Sequence, residues 1–255
     1  MALVLGLFRS RLGELAEALG LLSRLPLGWF APSAPPSARV MWAFPLVGLI
    51  LGGLAGGVYL FAVRLGLSPG LAAAWAVAAG VLLSGALHED GLADAADGLG
   101  AEGSAERRLA ILRDPRAGNY AVLALILSVA IRLAALAALA PAGAAKALMV
   151  AGIGGRTAMI GLPLLLPPAR ASGLGAALGV PGKGVASAAF ALGLGLLAAL
   201  LSPARLCAVV LAAGLGLGVV ALAAKRRLGG YTGDIYGAVE QAAECLTLTV
   251  LAAAG

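Results

Sequence analysis

Seven stretches of this chain each approach the length that an α-helix needs to cross a bilayer, and nothing else in the sequence limits the fold so strongly. They run over residues 40–63, 70–88, 120–140, 147–167, 186–202, 206–224 and 236–254, the fifth being the shortest. A hydrocarbon core of about 30 Å takes about 20 apolar residues in helical form. Charged residues are only 12% of the chain, roughly half of the about 25% found in soluble domains, so polar side chains cannot coat a water-facing globule. Disorder and a disulfide scaffold are excluded by the same composition. Cys207 and Cys245 lie inside apolar runs with no metal-type spacing, and are expected to be small core residues. The reading is an all-α, polytopic membrane bundle of about seven transmembrane helices, with residues 1–255 forming one membrane-embedded catalytic domain.

Residues 3–22 differ from the seven runs. Leu5, Phe8, Leu12, Leu15, Leu19 and Leu22 recur at helical spacing, while Arg9, Ser10, Glu14 and Glu17 lie off that stripe. This predicts an amphipathic helix on the membrane surface, followed by a proline-rich loop over 26–36. Residues 1–39 are thus surface helix and loop, and 40–255 the bundle. Alternate connections, counted from the N-terminus, hold thirteen basic residues, and the opposite connections hold Arg64, Lys146 and Arg205. That asymmetry predicts a cytoplasmic N-terminus, and with seven spans a C-terminus outside. The net charge of +6 follows from these basic loops and an anionic lipid surface, not from a nucleic-acid partner.

The acids carry the chemical signal. In His88-Glu-Asp90-Gly-Leu-Ala-Asp94-Ala-Ala-Asp97-Gly98 the three aspartates are spaced i, i+4, i+7 and share one helix face. Three like charges repel unless a cation sits among them, and oxygen-only donors suit Mg²⁺, which also binds substrate phosphates. A second set, Asp234, Glu240 and Glu244, opens the last run after the Gly-rich Gly229-Gly-Tyr-Thr232-Gly233. Glu240 and Glu244 share a face, and Asp234 joins them only if the backbone bends. Arg107-Arg108 and Arg113-Asp114-Pro-Arg116 lie between two spans, where arginine forks suit phosphate oxygens. His88, the only histidine, is read as a general base or an orienting contact. Arg156 sits in an apolar helix and requires an anionic partner, an acid or a substrate phosphate; Arg132 has room to snorkel. Together these parts suggest metal-assisted transfer of a phosphorus group at the cytoplasmic face.

The same motifs, in order, resemble the adenosylcobinamide-GDP ribazoletransferase (cobalamin 5′-phosphate synthase) family. Leu22-Ser-Arg24-Leu-Pro26-Leu, Trp42-Ala-Phe44-Pro45-Leu-Val-Gly48, the acidic signature from His88 to Gly98, Arg113-Asp114-Pro-Arg116-Ala-Gly118 and Gly230-Tyr-Thr-Gly233-Asp234-Ile-Tyr-Gly237-Ala238 carry the likeness over nearly the whole chain. Pro115, Asn119 and Ala121 depart from it. The resemblance implies that a ribose hydroxyl of α-ribazole, or its 5′-phosphate, attacks the cobinamide-side phosphorus of adenosylcobinamide-GDP and releases GMP. It also implies Mg²⁺ held by Asp90, Asp94, Asp97 and Asp234 with Glu240 and Glu244 in support. Arg113, Asp114, Arg116, Arg156 and Thr232 are expected on substrate, and His88, Asp90, Asp94 and Asp97 in catalysis. The expected setting is the bacterial inner membrane, and a homo-oligomer is compatible with it. Other Mg²⁺-dependent membrane transferases, CDP-alcohol phosphotransferases or aspartate-rich prenyltransferases, are the nearest alternatives; a cation-coupled transporter fits less well, because the acids gather at one face.

Overall fold

A computed structural model describes residues 2–26 and 37–253, with side chains from Ser10 onward. Most of the expected 26–36 loop, and the side chains of Leu5, Phe8 and Arg9, lie outside the described residues. The elements are α1 (Ala2–Leu22), a 3-10 turn (Ala38–Ala43), α2 (Phe44–Arg64), α3 (Pro69–Ser84), α4 (Leu87–Gly100), α5 (Ala105–Ile111), α6 (Asn119–Ala137), α7 (Pro141–Leu165), α8 (Leu174–Leu178), α9 (Lys183–Leu200), α10 (Pro203–Leu228) and α11 (Gly233–Ala253). Among the described residues there is no strand, only an isolated bridge between Pro168 and Tyr231.

Each of the seven apolar runs is helical, but they are not seven equal spans. Five helices are long and apolar enough to cross a membrane: Ala38–Arg64, Asn119–Ala137, Pro141–Leu165, Lys183–Leu200 and Pro203–Leu228. The second run is broken. Gly85 (φ 66°) closes α3 in the left-handed region, Ala86 (φ 57°) repeats it, and α4 leaves at 88° to α3. This pair counts as a sixth span only if taken together. The last run, α11, carries Glu240, Gln241 and Glu244 along its length and falls short in apolarity, so its place in the bundle rests on buried polar pairing rather than on lipid solubility.

Small residues set the helix spacing. Gly48, Gly52 and Gly56 form a stripe on α2 that lies against α7. A Cβ on Gly48 or Gly52 would run into the carbonyls of Gly152 and Leu148, and one on Gly56 would stand 2.9 Å from the Ala145 oxygen. Lipid gives helices no hydrophobic drive to associate, so contact this close is what holds such a pair.

The N-terminal helix only partly follows its expected amphipathic pattern. Leu19 and Leu22 are buried with Val40, Met41 and Phe44. Leu12, placed on the apolar stripe by its spacing, is half-exposed. Glu17, placed on the wet face, is 6% exposed because Arg39 Nη2 donates to it at 3.1 Å. Trp42 Nε1 donates to Glu14 at 2.7 Å. The 3-10 turn thus supplies donors that draw the acidic face of α1 onto protein. The cysteines also depart from expectation: Cys207 is exposed, since α10 turns much of its surface outward, and Cys245, on α11, is only half-buried.

Candidate active site

The site is built where α4 lies against α11. Gly91 and Gly237 allow this: a Cβ on Gly91 would stand 2.8 Å from the Asp234 carbonyl oxygen, and one on Gly237 2.9 Å from that of His88. With backbones this close, Asp94 of α4 comes under the electrostatic influence of Asp234 of α11, besides Asp90, Asp97 and Arg170. The far end of α4 is tied down by arginines. Arg108 Nη1 donates to the carbonyls of Leu99, at 3.1 Å, and Ala101, and Arg227 Nη1 donates to Leu99 at 2.9 Å. These cations satisfy carbonyls at the C-terminus of a helix, where its dipole favours positive charge. Arg108, which looks like a phosphate ligand in sequence, therefore serves the fold, as does Arg227.

Asp90 and Asp94 face an open cavity of about 450 Å³. Its lining includes Glu89, Asp90 and Asp94 of α4 and Arg113, Asp114 and Arg116 of the segment between α5 and α6. Arg116 holds Asp114 in a fork, Nε to Oδ1 at 2.9 Å and Nη2 to Oδ2 at 2.7 Å, and its backbone N–H adds a bond to Oδ1 at 3.0 Å. The Arg116 side-chain bonds, with that backbone bond, hold the Asp114 carboxyl down at about 2. The cavity thus brings carboxylates and arginines to one surface, on which a phosphate ester can be held.

The remaining predicted residues lie elsewhere, for physical reasons. Asp97 shares the face of Asp90 and Asp94 but reaches α6, where it accepts from the backbone N–H groups of Gly118 at 2.6 Å and Ala121 at 3.0 Å. The N-cap of α6 is Gly118, which has no capping side chain of its own, so Asp97 supplies the cap from another helix. Thr232 is buried at 2% exposure and donates to Asp234 Oδ2 at 2.9 Å, so it orients that carboxylate.

His88 lies on the opposite side of α4 from the aspartates, as the turn of about 100° per residue requires. It is 2% exposed. Its Nδ1 is 3.4 Å from Arg156 Nη2 and 3.6 Å from Glu240 Oε2. Arg156 pairs with Glu240 and approaches Glu244 at 3.7 Å, while Arg132 pairs with Glu89 at 3.0 Å and Glu244 at 3.7 Å. Gln241 Nε2 donates to Glu240 at 3.0 Å and Glu89 at 3.3 Å. A small cavity of about 40 Å³ opens among these groups. The six acids expected around a metal therefore separate. α11 is unbroken, so Glu240 and Glu244 lie about 9 and 15 Å along its axis from Asp234, where arginines neutralise them. Arg156 spends its charge in the same layer, away from the open cavity. Arg132 does not snorkel; it is 4% exposed.

Sequence reasoning missed Glu89, Gln241 and Arg170 as parts of this arrangement. Glu89 stood inside the signature but off its aspartate face. Arg170 read as one more basic loop residue, with Pro167-Pro168 before it as the only local signal.

The comparisons with known proteins agree with this picture. Residues 14–252 match the family described as cobalamin-5-phosphate synthase. The chain belongs to the cobalamin-5-phosphate synthase family. Among its relatives, the adenosylcobinamide-GDP ribazoletransferase of Bradyrhizobium diazoefficiens is 45% identical, covering 96% of this chain and 95% of the relative. Those of Azorhizobium caulinodans, at 43% identity over 91% and 92%, and Rhizobium etli, at 42% over 94% and 96%, carry the same name. No solved structure matches the chain. As a cobalamin-5-phosphate synthase family member, the protein is a multi-pass membrane protein whose signature helix α4 lies along an open, charged cavity.

Proposed function

We propose that this protein is an adenosylcobinamide-GDP ribazoletransferase, joining α-ribazole or its 5′-phosphate to adenosylcobinamide-phosphate with release of GMP. The observation that carries the reading is the backbone contact at Gly91 and Gly237, which brings Asp94 of α4 and Asp234 of α11 to one region, beside a cavity lined by Asp90, Asp94, Arg113 and Arg116. In the reaction a ribose hydroxyl oxygen forms a bond to the cobinamide-side phosphorus, the bond from that phosphorus to the bridging oxygen of GMP breaks, and the hydroxyl proton is released. His88 is enclosed on the other side of α4, so the proton acceptor is a carboxylate of the cavity wall, Asp90 or Glu89, or water beside them. Arg113, exposed on the cavity wall, steers the diphosphate toward the aspartates, and the Asp114–Arg116 fork holds that loop in shape.

Mg²⁺ suits the acidic donors. Among the described residues no three His, Cys, Asp or Glu side chains are gathered as a ready cage, and Mg²⁺ takes one or two carboxylates and completes its shell with water and substrate phosphate. Two of Asp90, Asp94 and Asp234 would hold it; Asp97 is engaged by α6, and Glu240 and Glu244 by arginines. When bound, the ion neutralises the diphosphate and stabilises the leaving phosphate. The basic residues concentrate on the connections at the α4 end of the bundle, which supports a cytoplasmic site in the bacterial inner membrane.

The reading is tested by incubating the purified protein in liposomes with adenosylcobinamide-GDP, α-ribazole or its 5′-phosphate, and Mg²⁺, with an EDTA control. GMP and the joined corrinoid should appear together and only with metal. A folded preparation that yields neither product refutes the assignment, and product formation in EDTA refutes the metal.

A further inference from the structure

Arg170 occupies a position that the family motifs do not mark. It belongs to the segment between α7 and α8, and that segment is fixed by backbone bonds to the entry of α11. Ala169 N–H donates to Tyr231 O at 2.8 Å, and Tyr231 N–H donates to Pro167 O at 2.9 Å. Gly230 packs so closely on Pro167 and Ala169 that no Cβ fits there. On the other side, Gly173 adopts a left-handed φ of 104° beside the Arg170 side chain. Gly175 then lies against the backbone of Gly233. The chain thus pins its backbone on both sides of one arginine and aims that arginine at the start of α11.

The guanidinium meets an incomplete set of partners. Nη2 donates to Asp234 Oδ2 at 3.4 Å, a long bond, and Thr232 already occupies that oxygen at 2.9 Å. Nη1 is buried and has no hydrogen-bond partner. The side chain is 18% exposed, and its charge acts on Asp94. An unpaired guanidinium N–H, out of water and beside the reacting aspartates, is costly unless something anionic completes it. The arginines of the open cavity do not fill this role, and Arg156 and Arg132 are closed off in the buried layer.

We propose that Arg170 is a phosphate-binding residue of the active site, which takes a diphosphate oxygen of the nucleotide substrate on Nη1 while Nη2 stays on Asp234. The ligand class is a nucleoside diphosphate ester, and naming it so rests on the function proposed above. The arginine then grips the diphosphate from the α11 side.

The test uses the full protein in nanodiscs with Mg²⁺ and GDP as probe, read by calorimetry without turnover. Losing a charge-assisted hydrogen bond of this kind should weaken GDP binding by roughly tenfold to a hundredfold in Arg170→Ala, with a smaller loss in Arg170→Lys. In the turnover assay, KM for adenosylcobinamide-GDP should rise and KM for α-ribazole stay within about twofold. A purely structural partner of Asp234 would behave differently: Arg170→Ala would lower thermal unfolding and leave GDP affinity in the folded protein within about twofold of wild type. GDP binding in Arg170→Ala within about twofold of wild type overturns the proposal. A wild type that binds GDP but forms no joined corrinoid overturns the assigned reaction alone.

Discussion

Replacing Asp97 separates the two roles open to a signature aspartate. The sequence spacing places it with Asp90 and Asp94 around a metal, but its carboxylate accepts two backbone N–H groups at the start of α6. A hydrogen bond to a charged group contributes about 1.5–3 kcal/mol, and loss of an N-cap side chain costs about 0.5–2 kcal/mol. Asp97 and Gly118 are only half-buried, so water recovers part of what two such bonds would give. Asp97→Ala should therefore destabilise the protein by about 2 kcal/mol. Asp97→Asn keeps one acceptor oxygen but turns its NH₂ toward the second donor, and should cost about 1 kcal/mol. The loop bearing Arg113 and Arg116 leads directly into α6, so KM for the nucleotide substrate should rise in step with the loss of stability. Denaturant unfolding in mild detergent reads the first effect, and steady-state kinetics across Mg²⁺ concentrations the second. A metal ligand would give another pattern: alanine and asparagine equally inactive, a large shift in Mg²⁺ dependence, and unfolding within about 0.5 kcal/mol of wild type. That result would refute the capping role.

Other perturbations test other parts of the structure. Gly52→Val should separate α2 from α7 and cost about 3 kcal/mol, because the new side chain meets the Leu148 carbonyl; wild-type thermal unfolding would count against that contact. Arg156→Met or Glu240→Leu alone strands a buried charge and should cost about 3–5 kcal/mol, while the double substitution should cost less than either; strictly additive losses in unfolding would contradict direct pairing. The Asp114 carboxyl, held down at about 2 by Arg116, has a folded value below its unfolded one. Its contribution is therefore complete above the ordinary value of 3.8 and is lost as pH falls through about 2. A carboxyl-carbon NMR titration should find it near 2, and a midpoint near 3.8 would refute the fork.

The seven apolar runs were legible as helices because their signal is local, whereas the short α5 and α8 carry no such signal. The break at Gly85-Ala86 was not legible, because the left-handed turn is marked by a single glycine in a run full of them. The i, i+4, i+7 spacing correctly placed Asp90 and Asp94 on one face. It could not show that Asp97 would be claimed by an amide 21 residues away. Arg156 announced its need for an anion, and Glu240 meets it from 84 residues further on. Arg132 looked able to reach the surface because Glu89, its partner, was hidden among the signature acids. Arg170 gave almost no signal, since its role depends on backbone bonds to Tyr231 that no residue pattern encodes.

The buried pairing of Arg156 with Glu240 has a consequence for how the protein is made. The arginine enters the membrane on α7, and its carboxylate arrives only on the last helix, 84 residues later. At about 5–20 residues per second of synthesis, the cation waits roughly 4–17 seconds without its permanent counter-ion. During that interval α7 has reason to remain beside the insertion machinery or in a hydrated groove, and it can settle only when α11 arrives. The buried layer is thus a late product of synthesis: α7 is neutralised only once α11 has joined it.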